Sequence, residues 1–147
     1  MEKQDGIIMP TTPTKKVLVV SGKRKTAVAR AIIKQGSGKV RINMTPVEIY
    51  SPNIAKAKIM EPLLQAGGDV WNQLDMDVKT SGGGYMGQAE AARTAIANGI
   101  LKWTKSTHLR TVFSEYDRTM VAGDSRSKET KKVGGAGARS KEQKSYR

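Results

Sequence analysis

The alternation of apolar and polar residues predicts four β-strands. A continuous aliphatic run at 17–20 indicates a buried strand, and a looser alternation follows over 26–35. The Gly-Ser-Gly sequence at 36–38 is typical of a tight turn, and 39–44 alternates again. These two stretches therefore predict a β-hairpin with one wet, basic face. The clearest alternation in the chain lies at 71–80 and predicts the fourth strand.

Helical signals begin near the middle of the chain. A short helical turn is expected at 46–50. Ser51 followed by Pro52 is typical of a helix N-cap with proline at the first helical position, so a helix is expected to run towards Met60. Pro62 is expected to kink or restart this helix, and the glycines in 66–68 to end it.

Two further helices are predicted after the fourth strand. Apolar residues recur at spacings of three and four over 86–105, and again from 109 to a helix end near Gly123. The order is strand, strand, strand, helix, strand, helix, helix and tail. It fits an α+β domain with one mixed four-stranded sheet, whose one face is covered by helices and whose other face is free for a ligand. Only the fourth strand follows a helix, which disfavours a doubly wound parallel sheet.

Composition limits the chain to one modest core. Hydrophobic residues make up 37% of the sequence, which supports a single globular domain at 15–123. Residues 1–14 contain acids and prolines and lack a long apolar run, so they are interpreted as a flexible leader and not as a signal peptide. The chain has no cysteine. Disulfides, thiolate chemistry and cysteine-based zinc sites are therefore excluded, and a reducing cytoplasm is consistent with this composition.

The C-terminal segment 124–147 is a basic tail with few apolar side chains. It carries eight lysines and arginines against three acids. Ordering a residue's backbone costs about 1–2 kcal/mol, and this segment has almost no apolar surface to offset that cost. We therefore expect a free arm, or an arm that is ordered by a polyanion. A solvated tail that serves only solubility is the alternative.

The rest of the chain is also basic. The formal net charge is +13 with an isoelectric point near 10.1. No acid occurs between Asp5 and Glu48, where nine lysines and arginines lie. Two basic zones in one small domain indicate an extended surface that binds an anionic partner, with nucleic acid favoured. A membrane partner is disfavoured, because the sequence has neither a long apolar span nor a lipidation signal.

The glycine pattern Gly82-x-Gly84-x-x-Gly87 stands between a predicted strand and a predicted helix. A dinucleotide-binding fold needs this pattern after its first strand, whereas here three strands precede it and only helix follows. A glycine loop that leads into a helix N-terminus binds phosphate of a nucleotide or of an RNA backbone alike. Glycines that serve only a tight turn and close packing are an equally good interpretation.

A second candidate is the basic loop at Lys23, Arg24 and Lys25, which lacks the glycines of a Walker motif. Backbone phosphate contacts are favoured over a solvated surface loop. A catalytic or metal site is not expected, since His108 is the only histidine and no clustered carboxylates accompany it. Asp75 and Asp77 share one face of a strand and could in principle hold Mg²⁺, but a solvated face, or one paired with lysine or arginine, is favoured. We therefore expect no enzyme activity, no cofactor and no small-molecule substrate.

Several motifs in the same order resemble the universal S-nine protein family of the small ribosomal subunit. They are Gly22-Lys-Arg-Lys-Thr-Ala-Val-Ala-Arg30, Gly82-Gly-Gly-Tyr-Met-Gly-Gln-Ala-Glu-Ala-Ala-Arg93, Asp124-x-Arg126-x-x-Glu129-x-Lys131-Lys132, and the ending Gln143-Lys-Ser-Tyr-Arg147. The ending resembles the archaeal and eukaryotic branch. Two positions depart from the family pattern. Asn98 stands where Lys or Arg is usual, and Val133 where proline or an aromatic residue is common.

The resemblance implies a non-enzymatic component in the head of the small subunit, with the fold of the second domain of ribosomal protein S-five. Its implied partners are small-subunit rRNA, neighbouring head proteins and peptidyl-site tRNA, and its implied location is the cytoplasmic ribosome. The residues implied to approach the tRNA are Lys144, Ser145, Tyr146 and Arg147. Those expected to contact rRNA are Lys23, Arg24, Lys25, Arg30, Gly82, Gly83, Gly84, Arg126, Lys131, Lys132 and Arg139.

Two other functions use the same features. A free-standing RNA-binding or RNA-annealing module would use the same cations without a ribosome. A nucleotide-dependent enzyme is the weakest alternative, because its glycine pattern stands at the wrong place in the strand order. The sequence leaves open which rRNA helices and which proteins are contacted.

Overall fold

The computed structural model describes residues 16–145. The predicted leader and the tail tip, Tyr146 and Arg147, lie outside the described residues. The strands are β1 (Val17–Arg24), β2 (Ala27–Gln35), β3 (Val40–Ile42), β4 (Thr45–Pro46) and β5 (Leu74–Ser81). The helices are α1 (Asn53–Ala66), α2 (Gly68–Trp71), α3 (Tyr85–Thr104), α4 (Thr107–Tyr116) and α5 (Arg118–Ala122), with a 3₁₀ turn at Val47–Ile49. No helix in this part of the chain has the length and apolar character needed to cross a membrane.

The strands form one open sheet in the order β1-β2-β5-β3-β4. It is mixed, since β3 and β5 are parallel and the other pairs are antiparallel. The prediction of four strands was wrong, because β4 adds a fifth. Asn43 and Met44 have φ angles of 47° and 71° and form the two-residue connection of a β3–β4 hairpin. The third predicted strand therefore ends at Ile42, and β4 is too short to show any periodicity.

The predicted hairpin between β2 and β3 was also wrong, because β5 lies between these strands. Asp75 of β5 closes the connection: its Oδ1 accepts hydrogen bonds from the amides of Ser37 at 2.9 Å and Lys39 at 3.1 Å. The amide hydrogen bonds from Lys39 and Ser37 hold the pKa of the Asp75 carboxyl below its usual value. The glycine-rich turn therefore leads β3 across β5 instead of back along β2.

The helices confirm the predicted periodicity, with differences at their ends. The predicted N-cap at Ser51 was wrong, because α1 begins at Asn53 and Pro52 stands at the N-cap without a side-chain hydrogen bond. The helix predicted at 86–105 is α3, and α1 continues through Pro62. The last predicted helix divides into α4 and α5 at Asp117, whose φ of −157° lies outside the helical region. Its Oδ1 accepts a hydrogen bond from the amide of Thr119 at 2.8 Å, so Asp117 ends one helix and caps the next.

The core lies between the inner face of the sheet and helices α1 and α3. Buried and exposed residues alternate strictly along β1 from Val20 and along the start of β2, and the inner positions of β2 begin with three alanines. Helix α3 also presents a row of buried alanines and packs on β1, β2 and β5. Small side chains on both sides allow the helix to lie very close to the sheet.

Gly22 marks the point of closest approach. A Cβ at this position would overlap the carbonyl oxygen of Ala91 and lie 2.7 Å from the amide nitrogen of Ala95. Both are backbone atoms of α3, so they cannot move aside without moving the helix. Only glycine fits here.

Gly22→Ala is therefore expected to lower the free energy of unfolding by about 2–3 kcal/mol, the cost of overpacking a core against backbone. The control is Gly84→Ala. Gly84 has a φ of −102° and open space around its Cβ position, so its substitution should cost at most about 1 kcal/mol, the loss of a glycine at a helix N-cap. Urea unfolding of both variants is the measurement, and equal stabilities would contradict the packing argument.

Candidate nucleic-acid interface

The basic loop predicted from the sequence joins β1 to β2. Lys23 and Lys25 are exposed on it, and Lys25 takes a φ of 53°, which turns the chain sharply between the two strands. Arg24, between them, points a different way: its side chain is only 14% exposed. The three consecutive cations therefore have two different environments.

Arg24 contacts the protein itself. Its Nε lies 2.6 Å from Oε2 of Glu90 on α3, and its Nη2 lies 3.2 Å from Oδ2 of Asp124. Its Nη1 also donates a hydrogen bond to the carbonyl oxygen of Arg126 at 3.1 Å. We call Asp124–Arg126 the tail root. Arg24 thus joins the globular body to the tail root and has little surface left for phosphate.

The tail root has further internal contacts. A parallel β-bridge pairs Asp124 with Arg24. The Asp124 carboxylate accepts hydrogen bonds from the backbone amide of Arg126 at 2.9 Å and from its guanidinium at 2.7–3.1 Å. The hydrogen bonds from the Arg126 side chain and amide, with the charges of Arg126 and Arg24, hold the pKa of Asp124 well below its usual value. The carboxylate therefore stays ionised between two arginines.

The glycine loop faces the basic loop across a cavity of about 240 Å³, which we call the anion cradle. It is lined by Arg24, Lys25, Thr26, Gly83, Gly84, Met86, Gly87 and Glu90. Gly82 and Gly83 have φ angles of 75° and 63°, and a Cβ on Gly82 would lie 2.6 Å from the carbonyl oxygen of Thr26. Turn geometry and close packing therefore account for these two glycines.

Gly84 is different, because neither its φ nor its surroundings require glycine. It is the N-cap of α3 and offers no side chain to the first turn, and that turn contains no acidic residue. The first amides of a helix have no intrahelical acceptor and lie at the positive end of the helix dipole. With Lys25 beside them, these amides form a suitable environment for a phosphate.

A larger groove of about 530 Å³ lies between β1, α3 and the tail root, and we call it the root groove. Lys23, Lys25 and Arg126 line it, so the structure brings three predicted cations together. Asn98 lies in the same groove, and its Nδ2 donates a hydrogen bond to the carbonyl oxygen of Val121 at 3.1 Å. The family usually has a lysine or arginine at this position. In this chain, Asn98 instead joins α3 to α5 through the hydrogen bond.

The other predicted contacts lie elsewhere. Arg30 is exposed on the outer face of the sheet, beside Ser21 and Lys79 of the neighbouring strands. Lys131, Lys132 and Arg139 are exposed beyond the tail root, as are Lys144 and Ser145. No helix or strand is present from 125 to 145.

Arg139 already has a partner within the tail. Its guanidinium donates hydrogen bonds to both carboxylate oxygens of Glu129, at 2.8 and 3.0 Å. The side chains of Arg139 and Glu129 are 83% and 55% exposed. Water screens such a pair strongly, so a phosphate can replace the carboxylate at little cost.

The sequence analysis did not predict the acidic residues that pair with Arg24 and Arg93. Glu90 holds Arg24, while Glu61 and Asp117 hold Arg93 at 2.7 Å each. Arg93 is the one charged residue that is buried in the described part of the chain. Within residues 16–145, no group of three metal-ligating side chains lies close enough together to hold a metal ion.

The anion cradle can be tested with two substitutions at Gly84. Gly84→Ser and Gly84→Asp both supply an N-cap oxygen to α3, but only aspartate adds a negative charge. We expect the aspartate variant to bind a small-subunit rRNA transcript about tenfold more weakly than the serine variant at low salt, which corresponds to losing roughly one charge-assisted contact. Filter binding measures both. Equal affinities would show that no phosphate enters the cradle.

The attachment of the tail root can be tested by limited trypsin digestion. Asp124→Asn removes the carboxylate between Arg24 and Arg126, so cleavage after Arg126 should become several-fold faster in the free protein. Glu129→Gln is the matched control, because it removes an exposed pair and should leave this rate unchanged. Mass spectrometry of the fragments gives the rate at each bond. A rate that is unaffected by Asp124→Asn would mean that the root is not held by this pair.

Comparison with known proteins agrees with this geometry. Residues 22–147 match the family model described as Ribosomal protein S9/S16. A curated relative, the Small ribosomal subunit protein uS9 of Methanothrix thermoacetophila, is 52% identical over 132 residues, which cover 90% of this chain and 99% of the relative. The match begins at the glycine that packs against α3 and includes the basic loop, the glycine loop and the tail. The chain therefore belongs to the ribosomal protein S9 family.

Proposed function

We propose that this protein is a structural constituent of the small ribosomal subunit, which binds the subunit's rRNA through phosphate contacts. The observation that carries the proposal is the convergence of Lys23, Lys25 and Arg126 on the side of the body where the tail begins. The open N-terminus of α3 lies next to them, across the anion cradle. Family membership supports the same conclusion, since the archaeal relative is named as a small-subunit protein.

Phosphate contacts are favoured because the cations are exposed and offer no base-reading surface. The chain has seven aromatic residues. Phe113 is fully buried, and Tyr50, Trp71 and Trp103 pack partly against the core. Tyr85 and Tyr116 are exposed but belong to different helices, at the start of α3 and the end of α4, so a base-stacking platform is poorly supported. Lysines on mobile stems adapt to phosphate positions without reading sequence. If six to eight cations engage, the logarithm of the affinity should fall with the logarithm of salt at a slope of roughly −4 to −6.

The body and the tail have separate roles in this proposal. Residues 15–123 are the RNA-binding body with the fold of the second domain of ribosomal protein S-five, and 124–147 are an extended basic tail. The tail continues through rRNA to the peptidyl site. There Arg147 contacts the tRNA, with Lys144, Ser145 and Tyr146 nearby.

The attached tail root supports this role of the tail. Arg24 holds both Asp124 and the Arg126 carbonyl, so the tail leaves the body from one fixed point. Lys131, Lys132 and Arg139 then contact rRNA along the way. Neighbouring proteins of the subunit head are further partners, and the location is the cytoplasmic ribosome. A free-standing RNA-binding or RNA-annealing module remains the alternative.

Reconstitution of the small subunit separates these functions. We expect the full chain to sediment with the particle and to remain bound through a high-salt wash, because a component enclosed by RNA keeps many contacts at once. A loose polycation dissociates in the same wash, since its affinity depends on counterion release. Loss of the chain at high salt would therefore favour the free-standing module.

The same particles test the tail tip. Deletion of 145–147 should leave sedimentation unchanged, because Ser145 is exposed and far in sequence from every element of the body. It should weaken tRNA binding at the peptidyl site by about 1–3 kcal/mol, the scale of a charge-assisted hydrogen bond. Filter binding of tRNA is the measurement. An unchanged tRNA affinity would limit the tail to packing against rRNA.

A further inference from the structure

A second basic groove lies on the helical side of the molecule, and none of the cations singled out in the sequence lines it. Its volume is about 540 Å³ and it lies between α3, α4 and α5. Four of its lining residues are cations: Lys102 in the last turn of α3, Lys105 just after it, Arg110 in α4 and Arg118 at the start of α5. We call it the helical groove.

These four cations are available for an external anion. All four are exposed. The seven ion pairs found among residues 16–145 use none of them, and no acid lines the groove. Like charges that converge without an acid repel one another. Such an arrangement is stabilised when a polyanion binds and is mildly unfavourable otherwise.

The first turn of α4 adds uncharged donors to the same place. Ser106 caps this helix, with its Oγ accepting a hydrogen bond from the amide of Leu109 at 3.3 Å. Thr107 follows in the groove lining, and first-turn amides have no intrahelical acceptor. Ser114 also lines the groove, but its hydroxyl donates to the carbonyl oxygen of Arg110 at 2.8 Å and adds no free donor. Four cations, hydroxyls and helix amides together match the acceptor oxygens of a phosphate backbone.

The helical groove adjoins the root groove. The two share Asn98, Val121 and Ala122 as lining residues, and the hydrogen bond from Asn98 to Val121 forms the boundary between them. Resting on the proposed function, we propose that one RNA strand runs along both grooves, so that the helical groove is a second backbone-binding site. Asn98 then lies at the middle of the path, and Lys102, Lys105, Arg110 and Arg118 bind its far half.

An RNA strand fits this groove better than an acidic protein segment. Peptide-binding grooves depend on buried apolar anchors, whereas the apolar lining here is limited to Leu101, Val121 and Ala122. The position beside the root groove is the stronger argument. A strand that already neutralises Lys23, Lys25 and Arg126 has only to cross the shared wall at Asn98 to reach the helical groove, whereas a separate acidic peptide does not account for two adjoining basic grooves.

The first test removes the four charges by Lys102→Gln, Lys105→Gln, Arg110→Gln and Arg118→Gln in one variant. Binding to a small-subunit rRNA transcript should show a salt slope that is shallower by about 2–3, since each lost contact contributes about 0.7. The control removes the same charge from the sheet side by Lys34→Gln, Lys39→Gln, Arg41→Gln and Lys79→Gln. All eight side chains are exposed, and thermal melting checks that both variants fold.

The expected result is a larger change for the groove variant than for the control. Equal changes in the two variants would overturn the proposal, because they would assign the effect to net charge alone. An unchanged slope in the groove variant would overturn it as well.

A tethered cleavage reagent shows what lies in the groove. The chain has no cysteine, so Ser114→Cys creates a single attachment site for an iron chelate that generates hydroxyl radicals. In reconstituted subunits, the tethered variant should cut a short stretch of rRNA, and the unsubstituted chain treated in the same way should give no cuts. Cleavage of a neighbouring protein without cleavage of RNA would assign the groove to an acidic protein partner and overturn the proposal.

The two proposals fail in different ways. Particles that retain the chain through the high-salt wash but show no RNA cleavage from residue 114 would overturn the second site alone. A chain that does not enter the particle would overturn the proposed function and the second site together.

Discussion

The contact between helix α3 and strand β1 is the constraint on which the other features depend. Gly22 lies against the backbone of Ala91 and Ala95, where no Cβ fits. This contact lets a helix of 20 residues lie directly on an alanine-lined sheet. It also fixes the position of the helix N-terminus beside the loop from β1 to β2. The anion cradle exists because this packing brings the loop from β1 to β2 next to the glycine loop at the start of α3.

Ion pairs of two arginines connect the packed elements to one another and to the tail root. Arg24 reaches Glu90 on α3 and Asp124 in the tail root. Arg93, also on α3, joins Glu61 of α1 to Asp117 at the start of α5. Arg93 is 6% exposed, so its buried charge depends on these two acids, and the loss of both would leave it uncompensated at a cost of about 3–5 kcal/mol. The helices that form the walls of both grooves are held to α3 by these pairs.

Local patterns predicted much of the fold, and long-range contacts account for the errors. A continuous aliphatic run identified β1, alternation identified β2, β3 and β5, and the helical period identified α3. The expectation that β1 is buried was wrong, because Val17 and Val19 are exposed on this edge strand. The two-residue hairpin at Asn43 and Met44 was missed because β4 has only two residues. At the candidate interface, the charge pattern alone predicted Lys23 and Lys25 as exposed cations. The ion pairs of Arg24 could not be predicted in this way, because Glu90 and Asp124 are 66 and 100 positions away in the chain. No window of sequence contains both partners.

Arginines and lysines have different roles in the described part of the chain: arginines form most of the ion pairs, and the lysines around the root groove stay exposed. Six of the seven ion pairs among the described residues use arginine, whose planar fork binds two acceptors at fixed positions. The lysines around the root groove keep their charges exposed, and a flexible ammonium adapts to phosphates whose spacing varies along a strand. The few acids in this basic chain therefore hold selected arginines in place and leave the other cations available. A chain with the same net charge but without Glu90 and Asp124 would attract RNA equally and would lack a fixed direction for its tail.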